Sequence, residues 1–387
     1  MVKAIKVMLI PNNVQKTKMF QYAGASRFAY NWALAREIEN YEKGEKFISD
    51  AELRKEFTKL RHSDEYAWLL SISNNVTKQA IKDACTAYKN FFKGLQKFPR
   101  FKSKKRSMPK FYQDNVKIRF SNTHVKFEGF SSSRKANKQK MNWVRLAEHG
   151  RIPTDVKYMN PRISFDGLNW WISVCVEFPD CRETLNDDGV GIDLGIKDLA
   201  ICSDGTKYKN INKSQKVKKL EKQKRRLQRS ISRSYEKNKK GESYCKTNNV
   251  IKKEKLLLKR NHRLTNIRKN YLNQTISEII NRKPRFICIE DLNVSGMMKN
   301  RHLSKAVQAQ GFFWFRKQLE YKCSDKGIQL IVADRFYPSS KLCSCCGNIK
   351  KVLKLSDRVY RCECGNMIDR DFQASINLKT YGEQFAS

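Results

Sequence analysis

The spacing of apolar and polar residues predicts one strand and then long helices in the first quarter of the chain. Residues 3–10 (KAIKVMLI) have the composition of a β-strand, which ends at Pro11. From about residue 14 to residue 95, apolar residues recur every three to four positions, the spacing of amphipathic helices. Residues 19–41 and 75–95 are the clearest of these helices. The apolar face of the first is expected to include Phe20, Ala23, Phe28 and Ala35.

The pattern changes to short β-strands after residue 95. Residues 98–111 (FPRFKSKKRSMPKF) are basic, contain two prolines and have little helical character. Between residues 115 and 178, runs such as VKIRF, THVKFEGF and NWWISVCVEF are separated by glycine and asparagine turns, which predicts a set of strands. The polar segment CRETLNDDG (181–189) comes next, and we therefore place a domain boundary near residue 180.

The second half begins with three predicted strands and a long helical hairpin. Residues 189–208 (GVGIDLGIKDLAICSDGTKY) have the pattern of two strands, a tight Ser-Asp-Gly turn and a third strand. Residues 210–282 are rich in lysine and arginine and helical in pattern, with a break near residues 238–249. The hairpin has a narrow apolar seam, which is expected to consist of Val217, Leu220, Leu227, Leu256, Leu257 and Ile267.

Strands and helices then alternate towards the end of the chain. RFICIEDL (285–292) and IQLIVAD (328–334) predict strands, residues 303–326 predict a helix between them, and a last helix begins near Asp371. Three strands in hairpins followed by helix, strand, helix, strand and helix is the order of an RNase H-like fold. In that fold the first and fourth strands are adjacent and parallel.

This order predicts that three acidic residues meet at one site. Asp193 lies on the first strand of the second half, Glu290 ends the fourth, and Asp371 begins the last helix, whose N-terminus favours a negative charge. Alternation along the first strand puts Asp193 on the same face as Gly191 and Gly195. We expect the missing side chains to leave room there for metal and phosphate.

Three carboxylates are a suitable ligand set for two divalent ions about 4 Å apart, and Mg²⁺ or Mn²⁺ prefers such oxygen ligands. One ion activates the attacking water and the other neutralises the leaving oxygen, which is the chemistry of a metal-dependent nuclease. Each acid alone is weak evidence, because a strand-end glutamate is usually only solvated and Asp371 is also a candidate helix cap.

The cysteines predict a second metal site, with a structural role. The pair Cys343 and Cys346 precedes the pair Cys362 and Cys364, with sixteen residues from Cys346 to Cys362, and four thiolates suit one tetrahedral Zn²⁺. The second pair is C-x-C, where C-x-x-C is the usual spacing, and Cys345 is an alternative ligand. A cysteine cluster without metal is the remaining alternative. The other seven cysteines have no obvious ligand partner, and most of them are expected to be buried.

The charge identifies a polyanion as the partner. The chain of 387 residues has 79 Lys and Arg against 38 Asp and Glu, a net charge of +41 spread over its whole length. Nucleic acid is the usual partner of such a surface, because basic side chains release its counterions on binding. The start of the chain has no secretory signal, and no stretch of about 20 apolar residues occurs. We therefore expect a cytoplasmic protein that does not contact a membrane.

These motifs resemble one family. GVGIDLGIKDLA, FICIEDLNVSGM and FYPSSKLCSCCG with DRVYRCECGNMIDRDFQASINL resemble the three RuvC motifs and the zinc ribbon of TnpB proteins. These are transposon-encoded RNA-guided nucleases related to the type V CRISPR effectors. The N-terminal segments KVMLIPNNVQ and ASRFAYNWAL, and AYKNFFKG with FPRFKSKK, also resemble this family. The C-x-C knuckle departs from the commonest family pattern.

The resemblance implies a multidomain α+β protein in which a single RuvC site cuts both strands of target DNA beside a short motif. A guide RNA made from the transposon end would pair with one strand, and the protein would act as a monomer on each RNA. Asp193, Glu290 and Asp371 would be the catalytic, metal-binding acids, with Asp369 and Arg370 in support. The basic hairpin would contact the backbone of the RNA and the heteroduplex. Base contacts are expected from Ser73, Asn75, Lys78 and Gln79.

The implied domains follow the changes in pattern along the chain. They are a β-barrel, wedge-like domain, an inserted helical recognition domain, an RNase H-like RuvC domain and a zinc-ribbon insert. Their residues are, in that order, 1–13 with 96–180, 14–95, 181–340 with 367–387, and 341–366.

Three alternatives remain open at this stage. A nuclease-dead RNA-guided repressor would lack one of the acids, and all three are present. A strand-joining transposase shares the RNase H-like fold, although the RuvC motifs and the zinc ribbon argue against it. A miniature type V CRISPR effector would use the same chemistry, and a neighbouring repeat array would distinguish it.

Overall fold

The computed structural model divides the chain between Pro179 and Asp180 into two compact units. The division falls at the start of the polar segment before residue 190. The residues that the structure describes are 1–130, 141–179, 182–241, 243–354 and 357–386.

The described part of the first unit contains a seven-stranded antiparallel sheet in the order β2-β6-β7-β1-β5-β4-β3. Its strands are β1 (Val2–Ile10), β2 (Lys110–Tyr112), β3 (Arg119–Phe120), β4 (His124–Lys126), β5 (Trp143–Leu146), β6 (Tyr158–Phe165) and β7 (Trp170–Glu177). Every second residue of β7 from Trp170 to Val176 is buried, so that one face of the strand forms the core. Strand β2 was not predicted, because it lies in the basic, proline-containing segment and its pairing with β6 is a tertiary contact.

Three helices of the first unit are α1 (Asn13–Glu42), α2 (Asp50–Arg61) and α3 (Asn74–Phe92). Asn12 and Gln15 form a capping box that fixes the start of α1. The predicted apolar face of α1 is wrong for Phe20, which is 45% exposed while Met19 and Tyr22 are fully buried. The buried face of α1 includes small residues such as Ala25, Ala29 and Ala33, and α1 packs against α3.

The described part of the second unit contains a five-stranded sheet in the order β10-β9-β8-β13-β14. Its strands are β8 (Val190–Leu194), β9 (Asp198–Cys202), β10 (Lys207–Lys209), β13 (Phe286–Glu290) and β14 (Gln329–Ala333). Strands β8, β9 and β10 pair antiparallel, whereas β8, β13 and β14 are parallel. The predicted parallel pairing of the first and fourth strands is thus confirmed. The first four residues of β13 are buried, as is typical of a central parallel strand.

Helices pack on this sheet and extend from it. They are α4 (Gln215–Lys237), α5 (Asn248–Asn281), α6 (Val294–Lys299), α7 (Ser304–Gln310), α8 (Phe312–Lys326) and α9 (Arg370–Phe385). The basic hairpin of α4 and α5 is confirmed, with Val217, Leu220 and Leu264 at its apolar contact, but Leu256 is 43% exposed. The single helix predicted for residues 303–326 is two helices, because Gly311 adopts φ +73° and ends α7.

Two short hairpins complete the described structure of this unit. They are β11 (Lys239–Lys240) with β12 (Ser243–Tyr244), at the end of α4, and β15 (Val359–Arg361) with β16 (Met367–Asp369), in the cysteine-rich segment. Among the described residues, every helix is either too short or too polar to cross a lipid bilayer.

Candidate active site and metal centre

Strand pairing brings Asp193 and Glu290 together. Ile289 of β13 is opposite Ile192 of β8, so the next residue on each parallel strand is one of the two acids. Neighbouring strands are about 4.8 Å apart, and side chains at matching positions of a parallel pair point to the same face. Both carboxylates therefore lie on one face, where β8 and β13 end.

A glycine on the same face of β8 allows the last helix to approach the sheet. A Cβ atom at Gly191 would lie 2.1 Å from the carbonyl oxygen of Ser375 and 2.3 Å from the amide nitrogen of Lys379. The space at Gly191 is therefore filled by the backbone of α9, and the expectation that this glycine leaves room for metal and phosphate is wrong. At Gly195 the nearest atom to such a Cβ is the carbonyl oxygen of Asp198, at 3.1 Å.

This contact also places Asp371. Asp371 is one helical turn before Ser375, about 6 Å along the axis, and Asp193 is two residues after Gly191, about 6.6 Å along the strand. Ser375 and Lys379 both lie over Gly191. Besides burial, the charge of Asp371 raises the pKa of Asp193 and that of Glu290, so the third acid is close to the other two.

The helix cap is a different acid. The Oδ1 atom of Asp369 accepts hydrogen bonds from the backbone N–H groups of Asp371 and Phe372, both at 3.1 Å. Asp369 is therefore the N-cap of α9, and the alternative role of Asp371 as a helix cap is wrong. The carboxylate of Asp371 is free of backbone capping and contacts arginines instead.

Two of the acids, Asp193 and Glu290, have strongly perturbed pKa values. Burial is the main cause that raises the pKa of Asp193 well above its usual value, and the charges of Glu290 and Asp371 raise it further, against the charge of Arg370. The pKa of Glu290 is raised as well, mainly by burial and then by Asp371, although a hydrogen bond from Ser339 opposes the shift. The protein alone therefore provides too little positive charge for these carboxylates, which is the electrostatic condition of a cation site.

Neighbouring side chains hold two of these acids in place. Arg370 Nη2 lies 3.1 Å from Asp371 Oδ1, and Arg358 Nη1 lies 3.8 Å from Asp371 Oδ2. The hydroxyl of Ser339, which is 4% exposed, donates a hydrogen bond to Glu290 Oε1. Arg370 contacts Asp371, and its supporting role stays a prediction, whereas sequence reasoning missed Ser339.

The three acids are less tightly clustered than the cysteines. In the described part of the chain, the four cysteine sulfurs are the only group of three or more Cys, His, Asp or Glu side chains with ligand atoms all within 4.8 Å of one another.

The cysteine cluster is formed by the four predicted residues. Sγ of Cys343 lies 3.6 Å from that of Cys364, and Sγ of Cys346 lies 3.6 Å from that of Cys362. A tetrahedron of four sulfurs around Zn²⁺ has edges of roughly 3.8 Å, so the arrangement fits this ion. Cys345 is exposed and outside the cluster. The C-x-C spacing of the second pair is therefore compatible with a closed four-sulfur site.

Hydrogen bonds lower the pKa of Cys343 and so favour its metal-binding thiolate form. Burial opposes ionisation of Cys343, but bonds from the backbone N–H groups of Cys346 and Cys345 and from the side chain of Asn366 outweigh it and lower its pKa to about 6. A thiolate is the form that binds a metal ion. Among the cysteines predicted to have no metal role, those found buried are Cys85, Cys202, Cys288 and Cys323. Cys175 is half-buried and Cys245 is exposed, and Cys181 lies outside the described residues.

Polar side chains of α9 connect the cysteine cluster to the acids. Gln373, fully buried and two residues after Asp371, donates to the carbonyl of Leu342 and accepts from Asn366, which also contacts Cys343 Sγ. Asn377, one turn further, donates to the carbonyls of Ser339 and Leu342. The helix that carries one acid therefore also holds the first cysteine loop.

The residues expected to contact bases are mostly bonded within the first unit. Ser73 and Asn75 both donate to Glu128 Oε2, at 2.9 and 3.2 Å, and Gln79 donates to Asp83 at 2.9 Å. Lys78 is exposed. Their contact with bases stays a prediction.

Comparisons with known proteins cover almost the whole chain. Residues 173–301 match a family model described as "Probable transposase", residues 312–378 match "Cas12f1-like, TNB domain", and residues 1–46 match "Helix-turn-helix domain", although here they form β1 and α1. A protein of Escherichia coli K12 named "Putative RNA-guided DNA endonuclease InsQ" is 30% identical over 93% of this chain and 87% of its own length. A protein of Streptomyces pristinaespiralis named "Putative RNA-guided DNA endonuclease" is 28% identical over 98% of this chain and 89% of its own length.

A solved structure shares the fold over nearly the full length. The cryo-EM structure of a Cas12f1–sgRNA–target DNA complex superposes with a TM-score of 0.62, at 12% sequence identity, over 98% of both chains. At this identity the likeness is one of fold.

Proposed function

The chain belongs to the TnpB family of transposon-encoded RNA-guided DNA endonucleases, and from this membership and the geometry of the acids we propose that Asp193, Glu290 and Asp371 form its DNA-cutting site. The observation that carries the proposal is the convergence of three carboxylates from β8, β13 and α9, two of them with raised pKa values and too little cationic charge around them. Cutting takes place on double-stranded DNA beside a short motif, with this single site serving both strands.

Each side chain has a distinct task in this proposal. Asp193, whose pKa is raised by burial and by the charges of both Glu290 and Asp371, would hold divalent ions, Mg²⁺ or Mn²⁺, together with these two acids. Bound ions at this site would lower the pKa of the attacking water and neutralise the leaving oxygen. Ser339 orients the carboxylate of Glu290, and Arg370 orients that of Asp371.

The domain layout proposed for the chain follows the family. In the first unit, residues 1–13 with 96–180 would form a wedge-like β-barrel and residues 14–95 a helical recognition domain. In the second, residues 181–340 with 367–387 would form an RNase H-like RuvC domain and residues 341–366 a zinc ribbon. The strand order β10-β9-β8-β13-β14 and the four-sulfur cluster support the assignment of the second unit.

A guide RNA and a target DNA are the proposed partners. The net charge of +41 and the basic hairpin of α4 and α5, which buries only a short apolar seam, support contact with nucleic-acid backbones. We further propose one protein per guide RNA, action in the prokaryotic cytoplasm, and one Zn²⁺ held by Cys343, Cys346, Cys362 and Cys364. A closed four-cysteine site contributes folding free energy and no chemistry.

The decisive test separates cutting from binding. Asp193→Asn in the protein purified with its RNA should lower the cleavage rate at least about 1,000-fold, because several kcal/mol of charge stabilisation are lost at the metal site. Binding of the matching target DNA should be unchanged. Asp188→Asn, at a side chain 82% exposed on the same unit, is the matched control and should cut normally. A cleaving Asp193→Asn protein would refute the site.

Sequencing the RNA that co-purifies with the protein distinguishes the remaining functions. A defined, structured RNA with a variable end that maps to the transposon end supports the proposal. A processed repeat RNA would indicate a miniature type V CRISPR effector, a possibility favoured by the shared fold with the Cas12f1 chain. Random RNA fragments would favour a strand-joining transposase or a general polyanion binder.

A further inference from the structure

A cavity of about 460 Å³ lies between the basic hairpin and the two helices that precede β14, all within the second unit. Helix α5 lines it with residues that recur every three to four positions and so share one face of the helix. They are Asn261, Leu264, Thr265, Arg268, Lys269 and Leu272. The other walls come from α4, from the end of α7 and from the start of α8. The volume is in the range of pockets that hold a small molecule.

The inner side of this cavity is apolar and includes one large ring. Gly311, with φ +73°, joins α7 to α8, and a Cβ atom there would lie 3.4 Å from Leu272 Cδ1. Leu272 and Leu264 are both buried. Trp314 also lines the cavity, and in the part of the chain that the structure describes its indole N–H has no hydrogen-bond partner. The cavity therefore offers a flat aromatic surface, an apolar floor and an unused donor.

Hydrogen bonds between the surrounding segments hold the wall in place. Arg268 Nε donates to Asn212 Oδ1 at 2.7 Å, and Arg268 Nη2 donates to Glu221 Oε1 at 2.9 Å. Asn212 Nδ2 in turn donates to the carbonyl of Ala309 at 3.1 Å. These bonds connect α5 with α4, with the segment before α4 and with the end of α7. The cavity is therefore preformed, and a ligand would not have to order its wall.

The charge that remains at this cavity is positive. Of the described residues that line it, Glu221 is the only acid, and its carboxylate is paired with Arg268. The other charged residues of the lining are Lys224, Lys269 and Lys305. Among the described residues, no ion pair or hydrogen bond occupies the ammonium groups of these three lysines. Three uncompensated cations at the mouth of one cavity attract an anionic ligand.

We propose that this cavity binds one nucleotide, with its base against Trp314 and the apolar floor and its phosphate at the three lysines. A nucleotide combines the two properties that the lining selects, because its base is a flat ring that stacks on an aromatic side chain and its phosphate is an anion. An acidic peptide would supply the charge without the base. An apolar ligand would leave the three ammonium groups without a counterion.

The nucleotide is either free or an unpaired member of a bound RNA strand, and both present the same chemistry to the cavity. A base held in the second way has left the stack of its own strand, so the cavity would recognise unpaired RNA and reject a duplex. The inference goes beyond the proposed function, because none of the three acids lines this cavity.

The first test measures the binding of adenosine 5′-monophosphate to the full chain after its RNA has been removed at high salt. Adenosine and inorganic phosphate should each bind at least about 10-fold more weakly, because one lacks the charged contacts and the other lacks the stack. Trp314→Leu should weaken binding of the nucleotide roughly 5- to 100-fold, the range for loss of one base stack, and Trp314→Phe should retain most of it. Lys224→Gln should weaken binding of the nucleotide and of phosphate but not of adenosine.

Two variants are matched controls. Tyr321→Leu removes an exposed aromatic side chain from α8, and Lys252→Gln removes an exposed lysine from α5, and neither residue lines the cavity. Both variants should bind the nucleotide like the wild type. Melting temperatures within about 2 °C of the wild type would exclude unfolding as the cause of weaker binding. Asp193→Asn should also bind the nucleotide normally, so failure of this inference and failure of the cutting site are separate results.

A second measurement distinguishes the two sources of the nucleotide. A single-stranded RNA oligonucleotide that carries 2-aminopurine is compared with 2-aminopurine riboside 5′-monophosphate and with the same oligonucleotide annealed to its complement. For a nucleotide within RNA, the single strand should bind more tightly than the mononucleotide, and Trp314→Leu should remove the quenching that stacking causes. For a free nucleotide, the mononucleotide should bind at least as tightly as the single strand. The duplex should show no quenching that depends on Trp314.

Three results would overturn the proposal. The first is binding of the nucleotide by Trp314→Leu and Lys224→Gln that equals binding by the two controls. The second is binding of inorganic phosphate as tight as that of the nucleotide, which would indicate a general anion site without a place for the base. The third is equal weakening of adenosine and adenosine 5′-monophosphate by Lys224→Gln, which decides the phosphate contact even if Trp314→Leu does not fold.

Discussion

Replacement of Asp193 by asparagine should stabilise the metal-free protein while it abolishes cleavage. Asparagine has the same shape as aspartate but no charge. In the absence of divalent ions, Asp193 and Glu290 lie at matching positions of two adjacent parallel strands, and the pKa of each is raised by burial and by neighbouring carboxylates. A site built to hold cations is therefore a source of instability when it is empty of them.

The expected magnitude follows from the strand geometry. Two unit charges roughly 6 Å apart repel by about 3 kcal/mol at an effective dielectric constant of about 20. In a unit of this size, each kcal/mol changes the melting temperature by about 2 to 4 °C. Because one acid takes up a proton and so relieves part of the repulsion, we expect Asp193→Asn to raise the melting temperature of the metal-free protein by about 3 to 8 °C at pH 8.

The effect should also depend on pH and on metal. A carboxyl group with a raised folded-state pKa keeps its proton in the folded protein and loses it on unfolding, so falling pH stabilises the wild type. The difference in melting temperature between Asp193→Asn and the wild type should therefore decrease as the pH falls through the raised folded-state pKa values towards the unfolded-state pKa near 4. Mg²⁺ should raise the melting temperature of the wild type but not that of the variant. At a Mg²⁺ concentration one hundred times the dissociation constant, binding stabilises the folded wild type by about 2.7 kcal/mol.

Thermal unfolding in Mg²⁺-free buffer and in Mg²⁺, between pH 5.5 and 8.5, measures all of these effects, without EDTA because a chelator would also remove Zn²⁺ from the cysteine site. Asp188→Asn is the control, since its exposed ion pair with Lys379 is worth little and its removal should change the melting temperature by no more than about 2 °C. An unchanged or lower melting temperature for metal-free Asp193→Asn, or equal stabilisation of variant and wild type by Mg²⁺, would refute the electrostatic account of the site.

Three further predictions concern other parts of the second unit. Cys364→Ser should reduce bound zinc from about one ion per chain to less than one and lower the melting temperature, as elemental analysis and calorimetry will show; a zinc-free, stable wild type would contradict it. Ser339→Ala should lower the cleavage rate about 10-fold and move the acid limb of the pH–rate profile to higher pH, because Glu290 loses the hydrogen bond that lowers its pKa; an unmoved profile would exclude this role. Gly191→Ala should destabilise the protein by about 3 kcal/mol or more in urea unfolding, whereas Gly24→Ala, which meets no atom within 4 Å, should not.

Much of the local structure was predictable because it depends on short-range periodicity. Strand β13 is an apolar run that ends in an acid, β8 is apolar except for Asp193 one residue before its end, and their pairing follows from the order of the elements. The break in the basic hairpin and the four cysteines of the cluster were also predictable, since turn composition and ligand spacing are properties of neighbouring residues. The roles of the three acids stay predictions, although the structure brings them together.

The errors have one physical origin, which is contact between distant segments. Strand β2 has little strand character of its own and exists through its pairing with β6. Phe20 lies outside the buried face of α1, which the packing of that helix in the fold places on residues such as Met19 and Tyr22. Gly191 accommodates the backbone of α9 and not a phosphate, which no pattern within GVGIDLG indicates.

The sequence by itself determined the type of protein and the identity of the candidate ligands, because charge, apolar periodicity and the spacing of acids and cysteines are written along the chain. The tertiary structure decided how these ligands are supported. Asp369 rather than Asp371 caps the last helix, Ser339 bonds to Glu290, and Gln373 connects the cysteine loop to the helix of Asp371. Each of these contacts joins residues through a fold-dependent distance of a few ångströms, and sequence spacing carries no information on distances of that kind.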